Sequence, residues 1–133
     1  MWTSSASRSQ VVYLAIVLAG GTGALLRYLL GRATIHLGWT ALPFGTLISN
    51  LLGCFLIGYL SWQMVQRWQL SADMQAVVLT GFLGGFTTFS AFSLETVTMF
   101  EQGAGLRAIA YIGISVTLCI FMCMFGILLA RHT

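Results

Sequence analysis

Four apolar runs, each long enough to cross a lipid bilayer, occupy almost the whole of this 133-residue sequence. A crossing helix needs about 20 mostly apolar residues. Runs at about 11–32, 43–66, 73–100 and 105–130 meet that length, and what remains is short loops and tails with no room for a soluble domain. Charge points the same way. Only 7% of the residues are charged, against about 25% in soluble domains. Nine charged side chains cannot coat a water-facing surface. Lipid is therefore the expected solvent, and the expected fold class is an all-α membrane protein of four transmembrane helices. Residues 1–10 are polar with one Arg. They lack the short apolar core and small-residue cleavage site of a secretory signal, so the first run is expected to be a mature span.

The run ends carry local signals. Pro43 opens the second run, where a helix's first turn has no partner for the missing N–H. Ser71 is placed to cap the third. Tyr13, Trp39, Trp62 and Trp68 fall near run ends, as an interfacial aromatic belt would. Cys54, Cys119 and Cys123 lie inside apolar runs with no CxxC pair. They are expected to act as small hydrophobes rather than as a disulfide or metal site.

The centre of the third run, residues 81–95, reads GFLGGFTTFSAFSLE. Glycines followed by hydroxyl residues suit a continuous lipid-facing helix poorly, because Gly has low helix propensity and Ser and Thr compete for backbone groups. One reading is close helix approach through small residues such as Gly81 and Gly85. The other is a helix broken near Gly84–Thr87. Non-helical backbone at membrane depth survives only inside protein or beside a water-filled cavity. The hydroxyl cluster favours the break, at a functional centre.

Four spans put Arg8, Arg67 and Arg131 on one side of the membrane and Arg27, Arg32 and Arg107 on the other. Orientation normally follows a Lys/Arg excess, and there is none here. Either one loop Arg outweighs the rest, or the chain inserts both ways up and pairs with an inverted copy of itself.

Several polar or aromatic residues fall within the spans. Asn50 must be hydrogen-bonded or wet, because a buried amide without partners costs several kcal/mol. It shares a helix face with Thr46 and Gly53. Phe89 and Phe92 share a face if their half of the run is helical, and their ring edges carry positive potential that can meet an anion. Tyr111, Ser115, Cys119 and Cys123 recur every four residues as a mildly polar stripe. Glu95 is the one acid placed within the hydrocarbon, and an intramembrane acid defaults to a functional role. Arg27 is its simplest charged partner, unless that Arg snorkels to the interface.

With these residues in view, the sequence resembles the CrcB/Fluc fluoride channels along nearly its whole length. The resemblance is carried by GGTGALLRY at 20–28, GTLISNLLG at 45–53 and, most specifically, the stretch at 81–95. It implies a dual-topology antiparallel homodimer in a bacterial inner membrane, passing fluoride outward to relieve its toxicity. Asn50, Phe89 and Phe92 would contact the ion. Thr46, Ser90, Ser93, Glu95 and Arg27 would lie along its route, and Tyr111, Ser115, Cys119 and Cys123 would form a polar track. Backbone carbonyls of Gly84 and Thr87 from two subunits would hold a structural sodium ion. The chain departs from the family pattern at Ala91, where Thr is usual, and at Cys119 and Cys123, where Ser or Thr is usual. A thiol donates more weakly than a hydroxyl, so these changes are expected to tune conductance.

Other functions fit less well. A small multidrug exporter of similar size depends on a carboxylate in its first helix, and this first run has no Asp or Glu. An accessory or hole-forming membrane protein would not need the ordered polar residues. An enzyme would need a nucleophile–base pair or metal-ligand cluster, and His36 and His132 lie only in a loop and at the terminus.

Overall fold

The computed structural model describes residues 3–133. The described residues are helical, joined by short turns. Helix α1 spans Thr3–His36 and α2 spans Phe44–Trp62, followed by a π-helical turn at Gln63–Arg67. The third span begins with α3 (Ala72–Gln75), continues as π-helix over Ala76–Leu83 and ends its first half in α4 (Gly84–Phe86). Helix α5 (Phe89–Glu101) forms the second half, and α6 (Gly105–His132) is the last span. Among the described residues, four helical stretches are long and apolar enough to cross a membrane.

Helix α1 starts before its apolar run does, and Arg8 on its first turns meets Asp73 at 3.2 Å. Ser71 caps α3, accepting from the Met74 N–H. Gly38 and Gly103 take positive φ where α1 and α5 end, a conformation Gly adopts without steric penalty.

Glycine sets the helix spacing. Helix α2 lies along α6, and α1 lies along the first half of the third span. A β-carbon at Gly58 would run into the Cys123 backbone, and one at Gly126 into the Phe55 carbonyl. One at Gly23 would meet the Phe82 carbonyl, and one at Gly85 the Gly20 backbone. Backbones in contact gain dispersion energy that lipid tails do not outcompete. A small apolar core of Leu47, Phe92 and Tyr111, flanked by Leu42, Phe44, Leu51 and Met99, joins α2, α5 and α6 at one end.

The helical backbone is interrupted at Thr87 (φ −87°, ψ 156°) and Thr88 (φ −154°, ψ 121°), both extended. Gly84 and Gly85 remain helical. The glycines and the interruption therefore do separate jobs. Gly85 lets α1 approach, while the extended backbone falls on the two threonines that follow.

Candidate functional site

Helix α2 grips the third span with one face. Thr46 Oγ1 donates to Glu95 Oε1 at 2.6 Å. One turn on, Asn50 meets Thr88. Asn50 Nδ2 donates to the Thr88 carbonyl at 3.0 Å, and the Thr88 N–H donates to Asn50 Oδ1 at 2.8 Å. Another turn on, Gly53 leaves room for the Thr87 methyl. The Asn50 side chain thus satisfies both backbone polar groups of an extended residue, replacing helical bonds that Thr88 has given up. Two amide atoms serve Thr88, which leaves a second amide N–H.

Thr88 also starts α5. Its Oγ1 accepts from the Ala91 N–H at 3.2 Å, the usual job of an N-cap hydroxyl. The first turn of α5 therefore sits beside Asn50, and the positive end of a helix dipole favours anions.

These elements enclose a cleft of about 220 Å³ lined by Asn50, Cys54, Thr87, Thr88, Phe89, Phe92, Ser115, Val116 and Cys119. Phe89 and Phe92 lie with ring centroids 5.4 Å apart, and Phe92 lies 5.2 Å from the Tyr111 ring. Phe92 is 7% exposed, whereas Phe89 is 76% exposed on the rim. Ser115 is buried, and its Oγ has no hydrogen-bond partner among the described residues. A buried donor without a partner normally marks a place for water or a ligand.

A second cavity, of about 390 Å³, lies at the end of the bundle holding the α1–α2 loop. Thr34, Thr40, Thr46, Glu95, Gln102 and Arg107 contribute its polar lining. Glu95 is reached there by Thr46 and by Tyr111, whose hydroxyl donates to Oε2 at 2.8 Å. The expected pairing of Glu95 with Arg27 does not form. Arg27 Nε donates instead to the Gly85 carbonyl at 3.3 Å. The physical reason is local. The last carbonyls of a helix lack intrahelical partners, and α4 ends one residue after Gly85. Glu95 lies beyond the interruption, where hydroxyls from α2 and α6 are nearer.

Asn50, Phe89, Phe92, Ser115 and Cys119 thus meet in one cleft, and Thr46, Glu95 and Tyr111 meet beside it. Others stand apart. The Ser90 hydroxyl lies 3.2 Å from Thr88 Oγ1, and Ser93 Oγ donates to the Phe89 carbonyl. Both serve the first turns of α5 rather than line the cleft. Cys123 lies outside it too, with its backbone against Gly58. Thr87 donates both its N–H and its hydroxyl to the Leu83 carbonyl. Three cleft residues were missed from the sequence, Cys54, Thr88 and Val116. The signal for Cys54 was present, because it stands four residues after Asn50 on the same helix face.

Residues 14–127 match the family described as CrcB-like protein, Camphor Resistance (CrcB). The chain is 46% identical over 120 residues to the fluoride-specific ion channel FluC of Methylococcus capsulatus, covering 89% of this chain and 52% of that protein. It therefore spans about half the length of that relative. It is 42% identical over 106 residues to the fluoride-specific ion channel FluC of Rhizobium leguminosarum bv. trifolii, covering 77% of this chain and 85% of that one. For the Rhizobium etli protein of the same name the identity is 40% over 116 residues, with 87% and 93% covered. With the family matched across all four spans and relatives this similar along most of their length, the chain belongs to the CrcB family.

Proposed function

We propose that this protein is a fluoride-selective channel and that the cleft beside Asn50 is part of its ion route. The observation that carries the reading is the Asn50–Thr88 clamp, which holds an amide donor, the start of α5 and two phenylalanine rings around one space. Similarity to relatives named as fluoride-specific channels supports the choice of ion.

The chemistry suits a small, strongly hydrated anion. Its water must be replaced by donors strong enough to admit it and weak enough to release it. Asn50 offers an amide N–H, Ser115 a hydroxyl, Cys119 a thiol, and Phe89 and Phe92 ring edges. None is a full positive charge that would trap the ion. Arg107 lines the second cavity together with Thr46, and its charge can draw anions there. Transport is passive, down the fluoride gradient and out of the cell. The exporter reading is not favoured, because the first span carries no acid to exchange protons.

The working unit is an antiparallel homodimer in a bacterial inner membrane. Balanced arginines support dual insertion. Phe89 supports a partner, because a ring 76% exposed on the rim leaves the cleft open on one side until another surface covers it. A structural sodium ion fits the donor chemistry of the interrupted span. Carbonyls of Gly84 and Thr87 at a helix end are hard oxygen ligands, but two such donors are too few for one cation. A second, inverted subunit would double them. The sodium would fix the two interruptions against each other and take no part in conduction.

The test is fluoride efflux from liposomes containing the purified protein, followed with a fluoride electrode. Fluoride is expected to leave faster than from protein-free liposomes while chloride is retained. Equal efflux from both, or loss of chloride alongside fluoride, contradicts the reading.

A further inference from the structure

Of the two thiols in the cleft, Cys119 serves the proposed ion route only as a weak donor and Cys54 not at all. Cys54 stands one turn after Asn50 on α2, and Cys119 one turn after Ser115 on α6. Sixty-five positions separate them in the sequence, so no motif announces the pair. In the fold both line the same cleft and both are part-buried. Their spacing does not depend on a flexible loop. Gly58 and Gly126, each a turn or two further along, hold α2 and α6 at backbone contact.

We propose that Cys54 and Cys119 form a two-coordinate site for a soft d10 cation, of the class of Cu(I), Ag(I) and Hg(II), and that its occupation obstructs the cleft. Thiolate sulfur selects such ions over hard ones. Phe89, Phe92 and Val116 form the apolar part of the surrounding wall. A soft ion needs only the two sulfurs. With mercuric chloride, two S–H bonds and two Hg–Cl bonds break and two Hg–S bonds form, releasing two protons and two chlorides. Mercury and sulfur keep their oxidation states, so no oxidant or reductant is required. Binding itself is independent of the channel reading, and only the obstruction rests on it.

The test uses the purified full chain in detergent, treated with mercuric chloride and washed with excess 2-mercaptoethanol. A monothiol strips mercury held by one sulfur and leaves mercury held by two. Elemental mass spectrometry is expected to find one mercury per subunit retained. Retention is expected to fall to background in Cys54→Ser and in Cys119→Ser, and to persist in Cys123→Ser. Serine is close in size to cysteine, so these variants keep the helix contact. Retention in Cys54→Ser overturns the site, as does loss in Cys123→Ser, which would place the metal on Cys119 and Cys123 of one helix. In liposomes, mercuric chloride is expected to slow fluoride efflux relative to each preparation's own untreated rate, and a dithiol to restore it. Mercury retained through Cys54 and Cys119 with efflux unaffected overturns the obstruction. Mercury so retained in a protein that passes no fluoride at all leaves the site standing and sinks the channel reading instead.

Discussion

At the scale of single residues, Asn50 has the most to lose. Its amide satisfies the N–H and the carbonyl of Thr88. Asn50→Leu keeps the size and leaves both backbone groups unpaired, which is expected to destabilise the fold by about 2 kcal/mol or more. A thermal melt in detergent reads that loss. The two phenylalanines separate by burial. Phe89 is on the rim and Phe92 is in the core. Phe89→Ile is therefore expected to cut fluoride flux with little change in melting temperature. Phe92→Ile is expected to cut flux and also lower stability by about 1 kcal/mol, because the swap alters shape against Tyr111. Unchanged flux in both variants removes the ring-edge role. The sequence flagged Asn50, Phe89 and Phe92 because polar and ordered aromatic residues are conspicuous inside an apolar span. It could not name Thr88 as the partner of Asn50, because a contact across 38 positions depends on how two helices are set side by side.

At the scale of elements, the spans were legible and their joints less so. Apolar length alone marks a crossing helix, since lipid offers the backbone no alternative partners. The third span shows where such reasoning thins. Its glycines look like helix breakers, yet Gly84 and Gly85 are helical, and Gly85 serves the contact with α1. The extended residues are Thr87, bonded back to Leu83 within the span, and Thr88, held by Asn50 of α2. Two variants separate these jobs. Gly85→Ala drives a methyl into the Gly20 backbone, which cannot yield as a side chain could. It is expected to destabilise the fold by about 1–3 kcal/mol, or to prevent a monodisperse preparation, as gel filtration would show. Thr88→Ala removes the cap of α5 and is expected to cost only about 1 kcal/mol, because the Asn50 bonds are to backbone and survive. The predicted pairing of Glu95 with Arg27 failed for a similar reason. Opposite charge suggested it, but the freed carbonyl at the end of α4 and the hydroxyls of Thr46 and Tyr111 are closer partners.

At the scale of the whole molecule, a single chain leaves its cleft open past Phe89, and the proposed inverted second copy would close it. Cysteine tags at either terminus, in a background lacking the native cysteines, are expected to label from both sides of the membrane. Labelling from one side only would end the dual-topology proposal without touching the cleft. The proposed role of the space held by Asn50 is fluoride conduction. Its most direct measurement is the initial rate of fluoride efflux, by electrode, from liposomes holding the native protein or Asn50→Leu at matched protein content. Fast efflux with chloride retained is expected for the native protein, and a rate near that of protein-free liposomes for the variant. Efflux from Asn50→Leu at the native rate would contradict that role.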